Sequence, residues 1–177
     1  MDAPNPEFSR IVNLANLPEK GREEHLTSSA AERTALAKRF DLHDLGAFEA
    51  TVTLTPSTEN TVILTGTVTA HLSQRCVISL DPIETTLSIP LSLRLIPNTS
   101  PMNQEETLQH IEMTEDFEVI VHHKADLGEL VAQQLGLALD PYPRKEGAVH
   151  LSSDTIPTPK TGLGALASII KLRKNKD

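Results

Sequence analysis

Between residues 48 and 95 the chain alternates apolar and polar side chains in three successive runs. Phe48, Ala50, Val52 and Leu54 alternate with Glu49, Thr51, Thr53 and Thr55. After the turn residues Pro56 to Asn60, one parity carries Val62, Leu64, Gly66, Val68, Ala70 and Leu72, and a threonine-rich row takes the other. The third run has Ile83, Leu87, Ile89, Leu91, Leu93 and Leu95 on one parity, with mainly Glu, Thr, Ser and Arg between them. Successive side chains of a strand point to opposite faces, so period two over runs joined by short turns predicts an antiparallel meander with one buried face. That parity puts Val52, Leu64, Val68, Leu91 and Leu93 in the core and Thr53, Thr67 and Ser92 in water. Pro90 has no N–H to give a ladder, so the third strand is read as an edge, or as bulged there. Gly66 is read as another bulge, because its run is too long for one straight strand.

Shorter signals flank the meander. Phe8 to Leu14 reads as a short strand stopped by Asn16 and Pro18, with a charged turn after it. Ser29-Ala-Ala-Glu32 is a capping box, in which the serine oxygen takes an orphan N–H of the first turn and the glutamate reaches back. The helix it opens runs from Ala30 to about Phe40. Residues 97–116 form a long acidic loop, and Phe117, Val119 and Val121 give a further strand. Asp126 caps a second helix whose apolar stripe is Leu127, Leu130, Val131, Leu135 and Ala138. Asp140-Pro141 ends it. From Pro141 to Thr161 Pro, Ser and Thr recur without periodicity, as in a linker. The fold class is therefore α+β: an antiparallel meander, long enough to curl towards a barrel, with two flanking helices and a flexible C-terminal tail. The domain spans residues 1–142; residues 143–177 are linker and a short basic amphipathic helix.

Composition narrows the partners. Aromatics are 3% of the 177 residues, so the core is aliphatic and few rings are left to stack on bases. The net charge of −8 excludes a general nucleic-acid-coating protein, and no DNA partner is expected. Charge is also uneven. Residues 98–130 carry eight acids and one lysine, whereas residues 157–177 carry five bases and one acid. The one cysteine, Cys76, excludes an internal disulfide framework and a cysteine-based zinc knuckle. The acidic start MDAPNPEFSR does not resemble a signal peptide, and no run reaches the ~18 apolar residues of a membrane span. A cytoplasmic location with no membrane partner is expected.

From Ser73 the chain resembles the YceD family, the large ribosomal RNA subunit accumulation proteins of bacteria and plastids. Members show a Cys-x-Arg-Cys-Leu-Glu-Pro stretch at the end of a strand, and Gln74-Arg75-Cys76 with Asp81-Pro82 matches it in kind and order. ADLGELVAQQLGLALDPYPR resembles the family's acidic-leucine helix, and GLGALASIIKL its closing Ala/Leu segment. The opening FSRIVNL and the following helix fit as well. Ser73 stands where many members have the first cysteine, and no second Cys-x-x-Cys follows. Any metal site that cysteine-rich relatives build is therefore absent here, and no cofactor is expected. The resemblance implies a role in accumulation of large-subunit ribosomal RNA, with a ribosomal protein, large-subunit rRNA, or both as partner.

Candidate site residues follow, each with a plainer reading beside it. Cys76 is either a reactive thiol beside the Arg75 cation or a small apolar residue of the sheet face. Arg75 lies on the outward parity, as a fork for phosphate or carboxylate or as an ordinary surface arginine. Glu105, Glu106 and Glu112 belong to an acidic run that either covers a basic ribosomal protein or is simply solvated. Lys171, Arg173, Lys174 and Lys176 follow the apolar stripe Leu163, Leu166, Ala167 and Ile170. A helix that short orders only against another surface: RNA, a protein groove, or its own sheet, its two-turn apolar face being too small for stable membrane anchoring without a second signal. His122 and His123 sit on a strand and so point to opposite faces, which makes a shared metal unfavourable. No phosphate loop, G-x-S-x-G, H-E-x-x-H or Cys-x-x-Cys is present, and no enzyme is expected. The alternative class is a small-ligand module that uses a barrel-like sheet as its pocket.

Overall fold

The computed structural model describes residues 6–57, 61–97 and 116–148. In chain order the elements are β1 (Ile11–Asn13), β2 (Arg22–Thr27), α1 (Ala30–Arg39), β3 (Asp44–Pro56), β4 (Val62–Arg75), β5 (Pro82–Pro97), β6 (Phe117–Ile120), β7 (Lys124–Asp126) and α2 (Leu127–Ala138). Five strands form one sheet in the order β2-β3-β4-β5-β6, and β1 pairs with β7 in a second, two-stranded sheet. The fold is α+β with flanking helices. The sheet stays open, ending at β2 and β6, and does not close into a barrel.

The meander holds over long ladders. β3 and β4 pair antiparallel from Asp44↔Ser73 to Pro56↔Val62, and β4 and β5 from Val62↔Leu95 to Arg75↔Pro82. Val52, Leu64, Val68, Leu91 and Leu93 are buried as their parity requires. Thr67 and Ser92 are exposed, and Thr53 is half-buried. Among the described residues β5 pairs with β4 alone from Pro82 to Leu93, so Pro90 sits at an edge of the sheet, where proline is tolerated. Gly66 is not a bulge. It pairs in register with Val52 on one side and Leu91 on the other, and the register shift between β3 and β4 lies at Leu45/Ala47. Its need is space: a Cβ there would run into the Thr51 carbonyl oxygen and lie 2.8 Å from Val52 Cα.

Two expectations are corrected. Residues 22–27, read as a charged turn, form strand β2 against β3. Only Leu26 of this strand is buried; charge suits an edge strand because it discourages pairing with other chains. The final pair, β5 with β6, is parallel (Arg94↔Phe117 to Pro97↔Ile120), so the sheet is mixed, not wholly antiparallel.

Both helices start where the caps place them. Ser29 Oγ accepts from Glu32 N, and Glu32 accepts from Ser29 N at 2.7 Å. Asp126 accepts from Gly128 N and Glu129 N at the start of α2. The same carboxylate also takes Ser9 Oγ at 2.6 Å and Arg10 N at 2.7 Å, fastening the N-terminal segment to α2. Arg10 in turn forms a two-pronged ion pair with Glu32, which holds that carboxyl well down, at about 2. Arg39 at the end of α1 forks onto Glu129 of α2 at 2.8 Å and reaches Glu7. Leu127, Leu130, Val131 and Leu135 are buried against the core, whereas Ala138 at the end of the stripe is exposed.

Candidate functional site

The site grows from the turn between β4 and β5. After Arg75 the chain must reverse within Cys76–Asp81, and the backbone closes on itself: Cys76 N donates to Asp81 O at 2.8 Å and Leu80 N to Cys76 O at 3.0 Å. Leu80 completes the turn with φ +63, a backbone state that a leucine adopts only under constraint. The segment after α2 supplies that constraint. Pro143 O accepts from Val77 N at 2.9 Å, and Asp140 O from Gln74 Nε2 at 2.9 Å. Lys145 Nζ pairs with Asp81 at 3.1 Å. Residues 140–145, the opening of the stretch that read as linker, are thus clasped onto the β4–β5 turn.

Cys76 Sγ is the centre of the clasp. It accepts three backbone N–H groups, from Ile78, Ser79 and Lys145, each at 3.4 Å. Hydrogen bonds to the charged form favour it, so the thiol is pulled down to about 6, chiefly by Lys145 N–H and then by Ser79. Neither reading of Cys76 from sequence describes this. The residue is fully enclosed yet stands apart from the main core cluster, and N–H donors, not the Arg75 cation, acidify it. The donor from Lys145 comes from 69 positions along the chain, which no local pattern could disclose.

Around the clasp, apolar and basic side chains face outward together. Val77 is 46% exposed, Leu80 66% and Tyr142 71%. Arg75 and Arg144 are exposed beside them in the chain, and Arg75 makes no ion pair among the described residues. Sequence reasoning found Arg75 but missed Val77, Leu80, Tyr142 and Arg144. The available signal was two apolar residues inside a turn and the chain's one tyrosine after a helix stop. Elsewhere the outer face of the sheet is mixed: Thr51, Thr65, Thr67, Ser88 and Ser92 share it with the exposed acid Glu49 and with His71.

The other candidates are placed as follows. Glu105, Glu106, Glu112, Lys171, Arg173, Lys174 and Lys176 lie outside the described residues, as does the C-terminal segment that read as a flexible tail. His122 and His123 are not strand residues. They form the tight turn between β6 and β7, with φ +55 and +53, and His123 O accepts from Leu14 N. Phe117 and Val119 fall on β6 and Val121 just past its end; all three are exposed, and it is Ile120 that is buried. Among the described residues no helix is long and apolar enough to cross a membrane.

The family model for large ribosomal RNA subunit accumulation protein YceD matches residues 64–160, a span that contains most of β4 and all of β5, the clasp and α2. Neither the curated proteins nor the solved structures give a match. The matched span covers more than half of the 177 residues and includes the Gln74-Arg75-Cys76 turn with the segment that clasps it; the chain belongs to the YceD family of large ribosomal RNA subunit accumulation proteins.

Proposed function

We propose that this protein is a non-enzymatic, cytoplasmic factor in large ribosomal subunit biogenesis that docks through the clasp face. The observation that carries the reading is the grouping of Val77, Leu80 and Tyr142 with Arg75 and Arg144 on an otherwise acidic protein. Tyr and Arg are the residue types that dominate binding energy at interfaces, and exposed apolar side chains beside them supply area that partners can dry. The same grouping suits a ribosomal protein, with Arg75 and Arg144 meeting carboxylates, and rRNA, with Tyr142 stacking on a base and the arginines on phosphate. The fixed backbone of the clasp favours binding, because little entropy is lost in ordering it. The basic tail residues Lys171, Arg173, Lys174 and Lys176 add a second, salt-sensitive contact to phosphate, and Glu105, Glu106 and Glu112 a contact to a basic protein.

The small-ligand alternative loses its basis in an open sheet whose inner face is filled by Val52, Leu54, Leu64, Val68 and Leu95. Affinity purification of the full-length protein from native lysate, with and without nuclease, tests the proposal. Large-subunit components should be recovered; retention after nuclease assigns the contact to protein, and its loss assigns it to RNA. Recovery of no ribosomal component in either case rejects the function.

A further inference from the structure

The end strand β6 carries a feature that the clasp does not use. Phe117 and Val119 stand at i and i+2 and so share one face of the strand, with Val121 just past its end; the three are 38%, 40% and 55% exposed. Strand β6 has β5 on one side and no strand on the other among the described residues. An apolar row on a sheet edge is an invitation to pairing that proteins ordinarily cover. Next to it in the chain Asp116 and Glu118 are exposed, and across the ladder Arg94 of β5 pairs with Phe117.

We propose that this row is covered by the chain's own C-terminal segment, residues 163–176. Its apolar residues Leu163, Leu166, Ala167 and Ile170 recur at helical spacing. Lys171, Arg173, Lys174 and Lys176 follow directly, so the occupant brings the opposite charge to Asp116 and Glu118. The tether permits it. Thirteen residues lie between Ala148, the last one described, and Gly162; at roughly 3.3 Å per residue an extended chain of that length spans on the order of 45 Å. A tethered segment also meets its site at an effective concentration far above that of a free partner. Apolar contact sets where the segment lies, and charge sets its direction. Release of the segment to a ribosomal partner rests on the function proposed above; the docking does not.

Amide hydrogen exchange on the full-length protein, compared with two single variants, tests this. Ile170→Asp should speed exchange at residues 117–121 at least tenfold, and Val119→Asp should do the same at residues 163–170. Exchange in β3 and β4 should not change in either variant, which separates loss of docking from unfolding. Three results would overturn the proposal. The first is no change at the distant partner in either variant. The second is a Val119→Asp effect on residues 98–115 in place of the tail. The third is protection that grows with protein concentration, which would make the occupant the tail of a second copy.

Discussion

At the scale of single residues, Cys76 and Gly66 each perform a task that only their own chemistry allows. Cys76 accepts three N–H groups on sulfur, which favours its thiolate in the fold. An ordinary thiol titrates near about 8.5, whereas Cys76 does so at about 6. A lowered acid contributes stability that is complete above the unfolded value and is lost as pH falls through the folded one. The stability difference between the native protein and Cys76→Ala, measured by urea denaturation, should therefore widen from pH 6 to pH 9. A flat or shrinking difference would mean that the N–H groups do not hold a thiolate. Gly66 is decided by distance. Gly66→Ala would press a methyl against the backbone of β3, so it should lower the urea midpoint by more than an ordinary surface glycine substitution does. Leu91 is 3% exposed, and Leu91→Ala should cost about 2–5 kcal/mol by the loss of buried methyl groups and the cavity left. A cost below 1 kcal/mol, on the order of a surface change, would place Leu91 outside the core.

At the scale of elements, the carboxylate of Asp126 joins what the sequence separates. It caps α2 and also binds Ser9 and Arg10, from 117 and 116 positions away. Ser29→Ala removes a cap alone and should cost about 1 kcal/mol. Asp126→Ala removes a cap and a long-range fastening together, so it should cost at least about 2 kcal/mol, the top of the range for caps. Equal costs for the two variants would show that the contacts to Ser9 and Arg10 contribute nothing. Both caps were legible because a capping residue and its glutamate lie within four positions. The three long strands were legible because a half-buried sheet writes period two into its sequence. β2 was not, since REEHLT buries one leucine and reads as polar throughout. The facing of β6 was hidden for a different reason. Phe117, Val119 and Val121 outnumber Ile120, but parity says only that two faces differ, and the parallel pairing with β5 chose which one is buried. β1 and β7 are three residues each and meet across the length of the domain, so neither carries a period to detect.

At the scale of the whole molecule, an acidic α+β domain gathers exposed Val77, Leu80 and Tyr142 with Arg75 and Arg144 at one clasp face, where Asp81, Asp140 and Glu146 are exposed as well. That face exists because residues 140–145 return across the β4–β5 turn, and its parts come from two places in the chain. Arg75 alone was visible beforehand, as a parity argument, while Leu80, Tyr142 and Arg144 become neighbours of the turn only through the clasp. The central claim is that this face is what large-subunit precursors recognise. Tyr142→Ala at an interface centre is expected to cost about 2 kcal/mol of binding, or roughly thirtyfold; adding Leu80→Glu and Arg144→Glu should deepen the loss. The direct measurement is sedimentation of the tagged full-length protein through a gradient of native lysate, beside the triple variant, with the melting temperature of each recorded. The native protein should migrate with large-subunit precursors, and the variant should remain at the top of the gradient with its melting temperature unchanged. Equal migration of the two proteins, both folded, would contradict the claim and move the contact away from the clasp.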